Sequence, residues 1–508
     1  MGDKTQQKIL RTVLLGAAAL FQIAVLILSY AFFKEYTSQI QWIFELLSLL
    51  IVFYIIRSDI NPAYKIPWIV LLLVFPVFGG FIYFTYGKYR FSRGERERMY
   101  NTAIMCHEAI TSRPFYNDEL EGEDAQAGVQ AGYLLNNADS PAYKNSTGEY
   151  FPLGDMAFPI MLEELSNAEK FIFMEYFIVE DGEMLNPILD ILLEKAKKGV
   201  EVRFMFDSFG SISKAPVNLV RNLEAGGIQC FEFNTFKTIL DNRYNNRDHR
   251  KICVIDGNTA FTGGINLADE YINVKSRLGH WKDNAILVRG EAVWSFTVEF
   301  LGLWCASRKS DENFYKYIPT KEFDYRDGYM IPYTDYPIDK EPVGKNVYLN
   351  IINRARKYIY IMTPYLVIDN IIQTALENAV KNGVDVRIVI PGIPDKKAVF
   401  LLTKSYGKSL VQEGVSVYEY DPGFVHSKLF LADDEIAVVG TINLDYRSLT
   451  HHYENALWMY KTEAVKAIKA DFEETFSVSH VVSEEEIKEK TLLERMLVPF
   501  LRLVSPLL

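Results

Sequence analysis

Two stretches of the chain carry the same reactive residue types at the same spacing: His249, Lys251, Asp256 and Asn266 in one, and His426, Lys428, Asp433 and Asn443 in the other. In both, Lys follows His by two positions, Asp follows Lys by five, and Asn follows Asp by ten. Two imidazoles and two ammonium groups brought together suit phosphoryl or phosphatidyl transfer through a covalent intermediate. One imidazole attacks phosphorus while the other, protonated, donates to the leaving alcohol oxygen, and the second imidazole reverses its role in the next half-reaction. Lys251, Lys428, Asn266 and Asn443 would neutralise the non-bridging oxygens as charge shifts in the transition state. A nucleophilic imidazole also needs a carboxylate to fix its tautomer. Asp283 follows His249, and Glu454 follows His426, by comparable distances, and these two are the candidates for that orienting role.

Metal binding is the competing use of His and Asp. A Lys on the same strand face as each His repels a cation, and regular alternation along the strand sends each Asp to the opposite face. The reading is therefore chemistry without a metal or cofactor. His280, His451 and His452 are further candidates for contacting substrate, although a polar surface role is the commoner outcome for an isolated histidine.

The elements that must position these groups can be read from the flanking sequence. The β-branched and apolar runs Ile252–Ile255 and Leu429–Ala432 suit buried strands. Asp256-Gly257-Asn258 and Asp433-Asp434-Glu435 mark turns, so each motif is a hairpin that returns its Asn towards its His. Upstream of each hairpin a β-α-β unit is predicted: Phe171 to Phe177, Leu185 to Lys198 and Gly199 to Phe206, then again Lys357 to Tyr365, Ile371 to Asn382 and Gly383 to Ile390. Gly199 and Gly383 lie 184 positions apart and His249 and His426 lie 177 apart, so the first copy carries an insertion, placed near Thr235 to Arg247. A duplication of this size predicts an α/β protein of two halves related by a pseudo-two-fold axis, whose hairpins meet at one shared site.

Composition narrows the function classes. A chain of 508 residues, 49% hydrophobic and 14% aromatic, can bury large cores and is not disordered. Its formal net charge of -11 argues against nucleic acid as a partner, so an anionic substrate must be held by locally placed cations. Cys106, Cys230, Cys253 and Cys305 form neither a CxxC pair nor a disulfide pattern. The apolar stretch from Val13 to Phe33 reads as a retained membrane span, Ile66 to Tyr86 as a second, and Ile43 to Ile56, with Glu45 near its start, as a marginal third. Basic residues lie at both ends of this region, which leaves its sidedness open. The resulting map is a membrane anchor of two or three helices over 1–90, a polar linker and entry segment over 91–150, repeats over 151–335 and 336–480, and an amphipathic segment over 481–508. Nothing in the sequence sets an oligomeric state.

The paired motif resembles the signature of the phospholipase D superfamily, His-x-Lys followed by Asp five positions on. More narrowly, the chain is similar to the bacterial cardiolipin synthases in Asn61-Pro62-Ala63-Tyr64, Gly263-Gly264-Ile265-Asn266, Asp269-Glu270-Tyr271, His280-Trp281-Lys282-Asp283, Thr363-Pro364-Tyr365 and Asn443-Leu444-Asp445-Tyr446-Arg447-Ser448. The resemblance implies two phospholipase D-like halves and a multi-pass cell-membrane enzyme. It implies transfer of a phosphatidyl group between two phosphatidylglycerol molecules, giving cardiolipin and glycerol through a phosphohistidine, with no metal. The catalytic set it implies is His249, Lys251, Asp256, His426, Lys428 and Asp433, with His249 as nucleophile and His426 as general acid and base. A hydrolase or another phosphatidyltransferase is the alternative that the motif itself leaves open.

Overall fold

The computed structural model describes residues 37–87, 93–235, 245–319, 321, 323–337, 341–487 and 491–507. The chain divides into two units: Met1–Ser92 with Phe236–Asn245 and Met496–Leu508 form one, and Arg93–Thr235 with Asn246–Arg495 form the other.

In the first unit, Thr37–Arg57, Pro62–Val74 and Pro76–Tyr86 are helices. Asn61 starts the second by accepting the Ala63 N–H (2.9 Å), with Pro62 in the first turn, where its missing N–H costs nothing. Val52, Ile55, Trp68, Leu72 and Tyr83 form the apolar core of these helices, with Trp68 and Tyr83 edge to face at 5.4 Å. The expected span from Ile66 to Tyr86 is corrected, because Pro76 cannot continue the helix that ends at Val74 and two helices of 13 and 11 residues result. The stretch Ile43 to Ile56 lies inside Thr37–Arg57, and Val13 to Phe33 lies outside the described residues. Among the described residues no helix is long and apolar enough to cross a membrane, so the multi-pass expectation finds no support in this fold. What these helices do display is an apolar outer face: Trp42, Ile43, Leu46, Leu50, Phe53, Leu73 and Phe84 are all exposed.

The second unit contains two sheets. The first runs, in spatial order, Ser146–Phe151, Ala285–Gly290, Thr259–Gly263, Ile252–Ile255, Phe171–Tyr176, Glu201–Asp207 and Gln229–Phe233. The second runs Tyr329–Asp335, Glu454–Tyr460, Ile436–Gly440, Leu429–Ala432, Tyr358–Met362, Asp385–Pro391 and Ser416–Tyr420, with Ser479–Val481 as an extra edge strand. Strand for strand the two orders match, so the duplication is a duplication of topology. In each, the central motif strand lies antiparallel to the first strand of a β-α-β unit, Ile172 opposite Ile255 and Ile359 opposite Ala432. Aliphatic residues from both sheets, among them Val254, Val288, Leu429, Leu431, Val439 and Leu457, share one buried core with the fully buried helix face of Phe296, Phe300 and Trp304. At about 1.5–3 kcal/mol for each large apolar side chain removed from water, this shared layer is what fixes one half against the other.

Two boundaries differ from the sequence map. Ser146–Phe151 pairs with Ala285–Gly290, so the first half begins before 151, and Tyr329–Asp335 pairs with Glu454–Tyr460, so a strand assigned to the first repeat belongs to the second sheet. A strand's own pattern does not say which sheet edge it joins. The segment taken as a linker is helical over Arg93–Thr111, Asn117–Glu123 and Ala125–Ala138. Asp124, which caps the last of these helices, accepts the N–H groups of Gln126 and Ala127, the Tyr460 hydroxyl (2.8 Å) and the Arg354 guanidinium (2.9 Å). The inserted stretch expected near Thr235 to Arg247 lies mostly outside the described residues.

Candidate active site

Each His-x-Lys motif enters its strand through a short extended segment that is stitched to the opposite half. The His249 N–H donates to the Tyr453 carbonyl (2.9 Å) and the Tyr453 N–H to the Arg247 carbonyl (2.8 Å). Correspondingly, the His426 N–H donates to the Lys282 carbonyl (2.7 Å), and Gly423–Val425 runs parallel to His280–Lys282. Tyr453 and Lys282 immediately precede Glu454 and Asp283. This backbone register therefore delivers each carboxylate to the histidine of the other half. His249 Nδ1 donates to Glu454, 3.0 and 2.9 Å from its two oxygens, and His426 Nδ1 donates to Asp283 Oδ2 at 2.5 Å. Lys428 Nζ is also 2.8 Å from His426 Nδ1, but one ring nitrogen cannot donate to a carboxylate and accept from an ammonium at once. The carbonyl of His426 is an alternative acceptor for Lys428, which leaves the Nδ1 proton to Asp283. In both pairs Nε2 is the nitrogen left for chemistry.

Each lysine is tied to its own histidine's carbonyl, Lys251 Nζ at 2.6 Å from that of His249, and both lysines are 1% exposed. Burial pushes Lys251 down to about 7 and Lys428 to about 8, with Glu454 and Asp283 respectively working against the shift. Burial also lowers His249 well below its ordinary value, reinforced by Lys251, Lys428 and His426, and it lowers His426 to about 4, reinforced by Lys428 and opposed by Asp283. Both imidazoles are thus neutral at neutral pH, and with the proton on Nδ1 it is Nε2 that carries the lone pair. An anionic phosphodiester placed among these groups would supply the negative charge that raises a histidine towards protonation and lets it act as an acid.

The groups that hold the two carboxylates explain local sequence choices. Glu454 accepts Ser448 Oγ and Thr441 Oγ1, both at 2.5 Å, so it is held by hydroxyls as well as by imidazole. A Cβ on Gly264 would lie 1.9 Å from Asp283 Oδ1, which restricts that position to glycine. Trp281 stands beside His426 (ring centroids 5.5 Å) and His452 beside His249 (5.4 Å). Trp281 and His452 each lie two residues before a carboxylate. That shared offset was the signal in the sequence that could have singled out His452 from its neighbours.

Not every residue of the motif reaches the site. Asp256 lies at the far end of its strand with φ of 54° and accepts the backbone N–H groups of Glu169, Lys170 and Phe171 at 2.7–2.9 Å. Asp433 does the same for Arg356, Lys357 and Tyr358. These two carboxylates, grouped with the catalytic residues by the motif, act here as clamps on the first strand of each β-α-β unit. Asp256→Ala is expected to lower stability by roughly 2–4 kcal/mol, since three N–H groups lose a charged acceptor. Chemical denaturation of that variant, with activity followed in the fraction that remains folded, checks it: a stable but inactive variant would place Asp256 in the chemistry.

Asn266 is largely committed, accepting the Ile178 N–H (3.0 Å) and donating to the Tyr271 hydroxyl (2.7 Å), whereas the Oδ1 of Asn443 is buried without a hydrogen-bond partner. Nδ1, Nε2 or carboxylate atoms of His249, His452 and Glu454 lie within 4.8 Å of one another, the spacing of a possible cation site. The donor set does not suit one: Glu454 is occupied by two hydroxyl protons and His249, and the buried Lys251 and Lys428 already oppose positive charge there. His280 is engaged elsewhere, its Nδ1 2.8 Å from the Tyr420 hydroxyl.

Two topologically equivalent α/β halves meeting at a crossed pair of histidine–carboxylate dyads define a phospholipase D-like protein. The model for the phospholipase D-like domain of cardiolipin synthase matches residues 161–304 and 348–476, and the phospholipase D-nuclease N-terminal model matches 46–88. A Streptococcus mutans protein described only as uncharacterized is 44% identical over 90% of this chain and 99% of its own length. Cardiolipin synthase 2 of Bacillus cereus is 33% identical over 88% of this chain and 87% of its own length. The chain belongs to the cardiolipin synthase family. Among solved structures, phosphatidylserine synthase of Haemophilus influenzae superposes with a TM-score of 0.59 at 15% identity, covering 75% of this chain and 99% of that one, a likeness of fold.

Proposed function

We propose that the protein is a phosphatidyltransferase that makes cardiolipin and glycerol from two phosphatidylglycerol molecules, without a metal or cofactor. The observation that carries this reading is the crossed arrangement, in which two buried imidazoles are each held at Nδ1 by a carboxylate of the opposite half, with two buried lysines close enough to influence their charge. In the first half-reaction the Nε2 lone pair of His249 attacks phosphorus. The P–O bond to glycerol breaks, and the departing oxygen takes the proton that His426 gained at Nε2 when the anionic substrate bound. In the second, His426 takes the proton from a hydroxyl of the second phosphatidylglycerol. That oxygen attacks phosphorus, and the P–N bond breaks to return the electron pair to His249. Lys251, Lys428, the side-chain N–H groups of Asn443 and the one amide N–H of Asn266 not given to Tyr271 would hold the non-bridging oxygens.

A transferase is favoured over a hydrolase by access. The exposed apolar residues of the helices between Thr37 and Tyr86 support contact with the lipid phase, and an enzyme held there meets acceptor lipid at high effective concentration. Around His426 the rings of Tyr271, Trp281 and Phe424, at 5.4, 5.5 and 6.0 Å, form an apolar wall that limits water. Labelled phosphatidylglycerol supplied alone to the purified protein, after exhaustive chelation, is expected to give cardiolipin and free glycerol in equal amounts. Phosphatidic acid as the main product would make it a hydrolase. A strict need for a second lipid class would change the substrate pair, and activity restored only by one divalent ion would overturn the metal-free mechanism.

A further inference from the structure

The two subsites share a backbone arrangement but not a chemistry. Their carboxylates differ in how fully they are engaged. Glu454 accepts from Thr441, Ser448 and His249, and a fourth group, His452 Nδ1, stands 3.5 Å from its Oε1. Asp283 accepts His426 on one oxygen and the Asn284 N–H (2.9 Å) on the other, with no further hydrogen bond among the described residues. At the place corresponding to His452 the first half has Trp281, and the two rings flank their histidines alike, at 5.4 Å and 42° against 5.5 Å and 40°. Both halves place a tilted aromatic ring beside the histidine, but only His452 has a nitrogen close to the orienting carboxylate, the Trp281 indole nitrogen being buried without a hydrogen-bond partner.

We propose that His452 is a positioning residue that makes His249 the nucleophile: its Nδ1–H adds a donor to Glu454, whose charge is then too dispersed to favour a protonated His249. Asp283, with fewer donors, remains the stronger base and stabilises the extra proton on His426 once the anionic substrate draws it there, as a general acid requires. This inference rests on the two-histidine reading given above. Several features support it. The His452 side chain is 11% exposed, its Nδ1 is buried with no hydrogen-bond partner, and closing to a hydrogen bond needs a movement of only about half an ångström. The groups facing it are Glu454, His249 and Arg447, and burial, despite Glu454, pushes it down to about 3, so the ring is neutral and has one proton to place. Glu454 is the acceptor that draws this proton to Nδ1.

The test is single-turnover quench with labelled phosphatidylglycerol, following label trapped on the protein separately from cardiolipin release, in the full-length enzyme. H452F keeps a ring and loses the donor, and its trapping rate is expected to fall about 10- to 100-fold with KM little changed. H452N places an amide nitrogen where Nδ1 was and should restore the rate to within about threefold, whereas H452Q, which mimics Nε2, should not. Thermal unfolding of all three separates a loss of fold from a loss of function, and the Asn and Gln pair decides the matter if H452F does not fold. Trapping by H452F at the wild-type rate, or equal rescue by Asn and Gln, overturns the proposal. A wild-type enzyme that makes cardiolipin yet traps no label removes the covalent reading itself, and this inference with it.

Discussion

Alanine at His249 or at His426 is expected to lower cardiolipin formation by at least ~1,000-fold, because each ring performs a step that no neighbouring group can take over. Lys251 and Lys428 are pinned to the carbonyls of the two histidines, and His452 faces Glu454, so none is placed to replace a lost Nε2. The two variants should nevertheless fail differently. With a phosphatidyl ester of p-nitrophenol, whose leaving group departs without a proton, H426A should still release nitrophenol in a burst and accumulate labelled protein, while H249A should do neither. A burst from H249A and none from H426A would reverse the assignment of nucleophile and acid. Bursts from both would end the shared-site mechanism.

The carboxylates carry the second large effect. Glu454→Gln and Asp283→Asn keep the shape of each dyad and remove the charge that holds an imidazole in its working tautomer, a change expected to cost ~100- to 10,000-fold in kcat. Which phenotype each resembles is the informative part. Because Glu454 lies 2.9 Å from His249 and Asp283 2.5 Å from His426, E454Q should behave as a weakened H249A and lose the nitrophenol burst. D283N should behave as a weakened H426A and keep it. The opposite pattern would mean that each histidine is oriented from within its own half.

That crossing was the part of the site hardest to read in the sequence. The spacing of His249, Lys251 and Asp256, repeated at His426, Lys428 and Asp433, revealed the duplication and its β-α-β units, because local apolar patterning and turn residues report local structure. It also picked out Asp283 and Glu454. Their partners depend instead on hydrogen bonds between Tyr453 and Arg247 and between His426 and Lys282, contacts between residues far apart along the chain that no local pattern encodes. For Asp256 and Asp433, strand alternation already sends the side chains away from the His–Lys face, as observed, and only the motif groups them with the catalytic residues. Both aspartates belong to the motif because the strand must be clamped at its far end, and a motif does not separate a residue that fixes the backbone from one that meets the substrate. Likewise, Pro76 splits an apolar run that by hydropathy alone reads as one span.

The separation between partners bears on how the protein is made. Along the chain His249 and Glu454 are 205 residues apart, and His426 and Asp283 are 143 apart. Ribosomes extend chains at about 5–20 residues per second, so the first histidine emerges on the order of ten seconds or more before its carboxylate. During that interval the first half can fold but holds His249 without Glu454 and Asp283 without His426. A nascent or prematurely terminated chain therefore carries one member of each histidine–carboxylate dyad and neither dyad complete, so neither half can assemble the site on its own.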